Sequence, residues 1–364
     1  MDLLSKLSPR RFDWALITST WLLVIVGLAA IYSVDLSRGS ELIYFKKQLI
    51  AVGVGFILLI AAASSRPAFF RSYAKVIYLG CFLLLAGVLI FGQTIRGTRG
   101  WFVAAGFSFQ PVEAAKIGLI FLLAAIIDHF GRRFEGPLFF FGTAFLTVLL
   151  VGLVFLQPDL GSALILVAVW FGLMVLVGVP WRYVGGVAAL ALIAAVVGWF
   201  FLLKPYQKDR IMTFVDPERD ALGAGYNSAQ ALIAVGAGQW LGRGLGFGSQ
   251  SQLKFLPEAQ TDFIFSVVAE ELGFAGAAAV IICYAVLLWR LWLIARRSQD
   301  NFVAAGANGI LILFFSQFFI NVGANIGVLP ITGVTLPLVS YGGSSLVVNL
   351  FLIGVAEAMV EKKN

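Results

Sequence analysis

The chain has 364 residues, of which 60% are hydrophobic and only 12% charged, against roughly a quarter charged in a soluble domain. So few charges cannot cover a water-facing surface of this size, which excludes a soluble globular protein. The net charge of +7 sits mostly at the ends of apolar runs, where basic residues set topology and meet anionic lipid, so no nucleic-acid partner is expected.

Ten apolar runs follow one another, at about 12–33, 48–63, 73–91, 113–128, 137–156, 160–178, 183–203, 262–290, 302–328 and 344–360. About 20 apolar residues span a bilayer as a helix. The pattern therefore predicts an all-α, polytopic integral membrane protein of about ten transmembrane helices. The first run is too long for a signal core and has no convincing cleavage site, so it is expected to stay as a span. The eighth is long enough to tilt or protrude. One long connection, 204–261, precedes the eighth run; the whole chain, 1–364, is otherwise a single transmembrane domain. No internal repeat is visible, which disfavours a transporter built from repeats. Cys81 and Cys283 lie inside apolar runs, so neither a disulfide nor a metal spacing is expected. His129 is the single histidine, which rules out a His-based zinc site.

Of the 26 Lys and Arg, fourteen fall in the connections on the side that holds both termini and five in the short loops opposite. The positive-inside rule then puts both termini in the cytoplasm and the 204–261 loop outside.

Polar residues at membrane depth are functional candidates, because burying them is costly. The connection QTIRGTRGWF carries Arg96, Arg99 and Trp101. Trp101 suits an interfacial anchor, and the arginines suit phosphate or lipid headgroups. FQPVEAAK opens the fourth run with Pro111 at a helix start. Glu113 and Lys116, three apart, share a helix face; the residues alone allow a locking ion pair or a substrate contact. In QPDLGSAL, Asp159 stands where a carboxylate favours a helix N-terminus.

The 204–261 loop is the richest segment. Its glycine-rich stretch, Gly236 to Gly248, is neither a Walker loop nor a dinucleotide fingerprint; such glycines permit tight turns and close backbone approach. Asn227 to Val235 is apolar enough for a short helix on or in the membrane. The loop ends in FLPEAQTDF, with Glu258 and then Thr261-Asp262 at the mouth of the eighth run. Asp262 can be a helix-start carboxylate or, at headgroup depth near apolar walls, a general base. At 100° per residue, Glu270 lies about 80° and Glu271 about 180° round from Asp262, so both cannot face one cavity. The last connection, NIGVLPITGVTLPLVSYGGSSL, includes Ser340 and is rich in Gly, Pro, Ser and Thr. Such backbone is tolerated at membrane depth only when it is buried in protein or lines a wet cavity.

Together RGTRGW, FQPVEAAK, QPDLGSAL, DRIMTFVDPERDALGAGYNSAQ, GSQSQLKFLPEAQTDFIFSVVAEELG and LPITGVTLPLVSYGGSS, in this order, resemble the SEDS family of bacterial shape, elongation and division proteins. DPERD and GSQSQLKFLPE are more similar to its elongation branch. The resemblance implies a ten-helix fold and a peptidoglycan glycosyltransferase of the bacterial plasma membrane. Such an enzyme polymerises lipid II on the extracytoplasmic face beside a class B penicillin-binding protein. It also implies that Asp262 is essential for polymerisation, and that Trp101, Glu113 and Lys116 are functionally important. Three positions depart from the family pattern: Gln260 stands for a usual His, Gly100 for a common Arg, and Arg243 for a common Lys.

An α-linked diphosphate donor giving a β-1,4 bond implies inversion by single displacement. Asp262 is then the base that deprotonates the acceptor 4-hydroxyl. Arg210, Lys116 and Arg99 are candidates to steady the leaving diphosphate. Glu258 and Ser340 are further candidate substrate contacts. No cofactor is assigned; a divalent cation, Mg or Mn, would suit the diphosphate, but no ligand pattern is legible. A lipid II flippase and a non-catalytic scaffold for the penicillin-binding protein are the competing functions.

Overall fold

The computed structural model describes residues 12–360 apart from 38, 40, 96, 105, 132–133, 135, 203–207, 210–211, 215 and 217–223. The ten apolar runs coincide with helices. These are α1 (Trp14–Ser37), α2 (Ile43–Ala63), α3 (Pro67–Phe91), α4 (Pro111–Phe130), α5 (Pro137–Leu156), α6 (Leu160–Val177), α7 (Trp181–Val197), α10 (Ile264–Arg297), α11 (Asn301–Asn325) and α12 (Gly343–Ala358). Within the described part of the long connection lie α8 (Ala224–Ala237) and α9 (Ser249–Gln252). The expected helix over Asn227 to Val235 is thus present as α8.

Among the described residues, seven helices are long and apolar enough to cross a membrane. Of the other three, α4 has the length but carries Glu113, Lys116 and Asp128, while α7 and α12 have 17 and 16 residues. Outward-facing Phe91, Leu138 and Trp181 are exposed, as side chains facing lipid would be. The protein is an all-α, multi-pass membrane protein.

Helix starts follow local chemistry. Pro67, Pro111 and Pro137 occupy the first helical turn of α3, α4 and α5, where no N–H is needed. Asp159 caps α6 by accepting from Ser162 N at 3.0 Å, and Asp300 caps α11 through Phe302 N and Val303 N. Asp35, in the last turn of α1, accepts from Phe45 N at 2.9 Å and so holds the start of α2. α4 is the central helix and packs on α3, α5, α6, α11 and α12. At the end of the bundle away from Asp262, Arg290 pairs with Asp13 at 2.6 Å. Glu357 accepts from Asp13 N there, so α1, α10 and α12 are tied together.

Two features were not expected. The connection between α3 and α4 is a small antiparallel meander, β1 (Gln93–Ile95), β2 (Thr98–Ala104) and β3 (Phe107–Phe109). Three-residue strands are too short to show a clear alternation in sequence. The eighth run, expected as one long span, is broken near one end: Gly273 has φ 69° and ψ −167° inside α10.

The glycine-rich stretch after α8 wraps this break. Arg243 N and Gly244 N donate to Glu270 O and Glu271 O, while Phe274 N and Ala275 N donate to Gln239 O and Trp240 O. Backbone groups freed by the break are therefore satisfied by the loop rather than left bare. A Cβ at Gly238 would overlap Ala269 O, and one at Gly273 would overlap Gly242 N. The close backbone approach expected of these glycines is thus realised. Gly273→Ala combines a forbidden dihedral with this clash, so we expect a loss of about 3 kcal/mol. Thermal unfolding in detergent measures it.

Candidate active site

Separate segments of the chain meet around one cavity of about 400 Å³, a volume in the range of small-molecule sites. β2 supplies Trp101, α4 supplies Glu113 and Lys116, the turn before α10 supplies Asp262, and the connection into the first turn of α12 supplies Thr332 to Thr335 and Tyr341 to Ser345. Asp159 and Ser162 at the start of α6, and Gln317 of α11, complete the wall used below. Four sequence-predicted residues, Trp101, Glu113, Lys116 and Asp262, are therefore brought together.

The Glu113–Lys116 pair forms along the first two turns of α4, with Nζ 2.7 Å from Oε1 and both side chains buried. The sequence left a locking pair and a substrate contact open; the structure shows a pair that also lines the cavity. Glu113 Oε2, Gln317 Oε1 and Thr332 Oγ1 are buried polar atoms of the wall without a protein hydrogen-bond partner. Each such atom costs about 1–3 kcal/mol unless a ligand or water completes it.

The backbone around Asp262 is held from three directions. Tyr341 N donates to Gln260 O at 2.8 Å, and Ser340 Oγ donates to Thr261 O at 2.6 Å. Asn321 Nδ2 and Asn325 Nδ2 donate to Asp262 O at 3.0 and 2.9 Å. Gln48 of α2 fixes the far side of the same arrangement, donating to Ser340 O and accepting from Gly342 N. Asp262 itself is half-buried and faces the cavity. Neither it nor Thr261 is the cap of α10: the helix starts after Phe263 without a side-chain cap of its own.

The remaining predicted residues lie elsewhere. Ser340 is buried and bonded to the turn, accepting from Leu336 N as well, and is not part of the cavity wall. Glu258, four residues before Asp262, is outside the cavity wall, and its Oε2 accepts from Gln260 Nε2 at 3.3 Å. Arg99 points away from the cavity; its Nη2 and Nε donate to Ile90 O and Gly92 O at the C-terminal end of α3. That is a favourable place for a cation. Arg99→Ala should lower stability by at most about 1 kcal/mol and leave turnover largely unchanged, as unfolding and rate measurements would show. Arg210 and Arg96 fall outside the described residues. Gly100 is buried against Gln157, and a Cβ there would stand 2.9 Å from Gln157 Oε1. A large side chain at this position would require Gln157 to move.

Neither Glu270 nor Glu271 lines the cavity, and Ser251 bonds to both. Glu270 accepts from Gln250 N and Ser251 N at the start of α9, and Glu271 accepts from Ser33 Oγ and Ser251 Oγ. Both anchor the end of the long connection to α1 and α10.

Sequence reasoning missed Gln317, Asn321 and Asn325. They are four apart on α11 and form a polar stripe down an otherwise apolar helix, a pattern visible in QFFINVGAN.

Residues 12–364 match the FtsW/RodA/SpoVE family model of cell cycle proteins. The chain is 37% identical to peptidoglycan glycosyltransferase MrdB of Escherichia coli K12 over 92% of its length and 91% of the relative's. It is 37% identical to the probable peptidoglycan glycosyltransferase FtsW of Thiomicrospira cyclica, over 96% and 92%. Among solved structures, a chain of a peptidoglycan synthase complex that coordinates polymerization and crosslinking superposes with a TM-score of 0.80. That match has 34% identity and covers 95% of this chain and 97% of the other. The crystal structure of the rod shape determining protein RodA of Thermus thermophilus gives 0.72 at 30% identity, covering 95% and 96%. The expected family is therefore the observed one: the chain belongs to the FtsW/RodA/SpoVE, or SEDS, family of cell cycle proteins.

Proposed function

We propose that this chain is a peptidoglycan glycosyltransferase that polymerises lipid II into glycan strands for cell-wall elongation. The observation that carries the proposal is the convergence of Asp262, Trp101, Glu113 and Lys116 on one cavity from distant parts of the chain. Relatives named as peptidoglycan glycosyltransferases share 37% identity over nearly the whole length.

Asp262 Oδ takes the proton of the acceptor 4-hydroxyl as that oxygen attacks the anomeric carbon of the donor. The C–O bond to the diphosphate breaks on the opposite side, and the configuration inverts. Lys116 is the cation that the described wall offers to the leaving diphosphate. Its pairing with Glu113 at 2.7 Å fixes where the ammonium points. The unsatisfied acceptors Glu113 Oε2 and Gln317 Oε1 suit hydroxyl and amide N–H donors of a sugar. Trp101 offers an apolar face to a pyranose ring. Among the described residues no group of three or more His, Cys, Asp or Glu side chains converges as a metal cage, so no step is derived through a divalent cation.

The membrane placement follows from charge. The cytoplasm takes both termini, and the cavity with the 204–261 connection faces outward, where lipid II presents its sugars. The whole chain acts as one domain. A class B penicillin-binding protein is the partner, an assignment supported by the superposition on a chain of a synthase complex.

Sealed proteoliposomes carrying lipid II in both leaflets test the activity. The proposal predicts that glycan forms from the leaflet facing the cavity while the other leaflet keeps its lipid II. Transfer of lipid II between leaflets without polymer would instead make the chain a flippase.

A further inference from the structure

We infer that Asn325, with Asn321 as its support, is the positioning residue for Asp262, acting as an N-cap for α10 supplied from a different helix. The inference rests on the proposed role of Asp262.

A helix leaves its first N–H groups without partners, and a polar side chain just before the helix normally accepts from one of them. In α10 that place is taken by Phe263, which has no side-chain acceptor. The acceptor comes instead from α11. Asn325 Oδ1 accepts from Ser266 N at 3.1 Å and from Ser266 Oγ at 2.7 Å. Ser266 is the third residue of α10, the position an N-cap serves. The Nδ2 of the same amide donates to Asp262 O at 2.9 Å and to Asn321 O at 2.9 Å. One carboxamide therefore grips the chain on both sides of the helix start, at residue 262 and at residue 266.

Asn321, one turn earlier, adds a second donor to Asp262 O at 3.0 Å and a bond to Val334 O at 2.8 Å. Val334 lies in the cavity wall. Asn321 and Asn325 are buried, so water does not compete for these bonds.

The consequence is chemical. Asp262 lines the cavity, and the carbonyl of the same residue is fixed by two amides. A general base must meet its proton within hydrogen-bond reach, and an error of about 1 Å costs on the order of a hundredfold in rate. Asn325 touches no substrate in this scheme; it acts on the reaction through the placement of residue 262.

The test is steady-state polymerisation of lipid II by the purified full-length chain with four variants: Asn325→Ala, Asn325→Asp, Asn321→Ala and Asp262→Asn. Asn325→Ala should lower kcat roughly ten- to a hundredfold with KM changed less than about twofold. Asn325→Asp keeps the acceptor for Ser266 but loses the donor to Asp262 O. It also sets a buried carboxylate oxygen against the carbonyls of Asp262 and Asn321, so it should be less stable than wild type and as slow as Asn325→Ala. Asn321→Ala removes one of the two donors and leaves the cap, so it should fall between wild type and Asn325→Ala. The inference is overturned if folded Asn325→Asp and Asn321→Ala both turn over at the wild-type rate. It is also overturned if the loss appears in KM, or follows unfolding temperature alone across the series. An inactive wild type, or a fully active Asp262→Asn, would defeat the glycosyltransferase proposal itself, an outcome distinct from either of these.

Discussion

Asp262→Asn should abolish most polymerisation, lowering the rate by roughly a hundred- to ten-thousandfold while leaving the fold intact. The amide is the same size and keeps the main chain unchanged, but it cannot accept the hydroxyl proton. The bonds that hold this turn run through the carbonyl oxygens of Gln260, Thr261 and Asp262, none of which the substitution alters. Unfolding should therefore shift by less than about 1 kcal/mol. Asp262→Glu retains the base but displaces it by a methylene group, and an intermediate rate is expected because geometry as well as basicity is required. Substrate affinity should change little in all of these variants. A folded Asp262→Asn protein with unimpaired turnover would remove the base from the mechanism.

The second large effect concerns the buried pair on α4. Lys116→Met leaves the Glu113 carboxylate buried without its counter-ion, and breaking a buried pair from one side costs about 3–5 kcal/mol. The cost is high here because both side chains are almost fully covered, at 2% and 6% exposure, and because α4 packs against five other helices. The double variant Glu113→Leu/Lys116→Met removes both charges and should recover much of the unfolding temperature, since apolar replacement of a whole buried pair is often neutral. Polymerisation should stay low in both, because the cavity has lost its cation. Chemical or thermal unfolding of the three proteins separates the stability effect from the catalytic one. Recovery of turnover in the double variant would show that the pair serves packing alone.

How much of this was legible in the sequence depends on the kind of residue. Membrane spans announce themselves by length and hydropathy, because the bilayer imposes both, and all ten runs are helices. The glycine-rich stretch was legible as a place of close approach, but not what it approaches. The partner of Gly242 is Gly273, which lies 31 residues further along and looks like an ordinary glycine in an apolar run. The break in α10 is consequently a tertiary property: it exists because residues 239–244 supply the missing hydrogen bonds. Glu270 and Glu271 illustrate the same limit. Helical angles show that they diverge from Asp262, but not that both would bind the short helix α9. Arg99 was a reasonable candidate for phosphate by residue type, and the strand geometry of β2 turns it to the end of α3 instead. For Asp262, local sequence was ambiguous between cap and base. The acceptor for the third residue of α10 comes from Asn325, 63 residues from Asp262, which no local pattern shows.

The most direct measurement is incubation of the purified chain with lipid II, alone and with the proposed partner, a class B penicillin-binding protein, followed by separation of the glycan products by length. The wild-type chain is expected to give glycan strands without a soluble activator, with more product when the proposed partner is added and none from Asp262→Asn. Absence of any polymer from a folded wild-type chain in complex with its partner would contradict it.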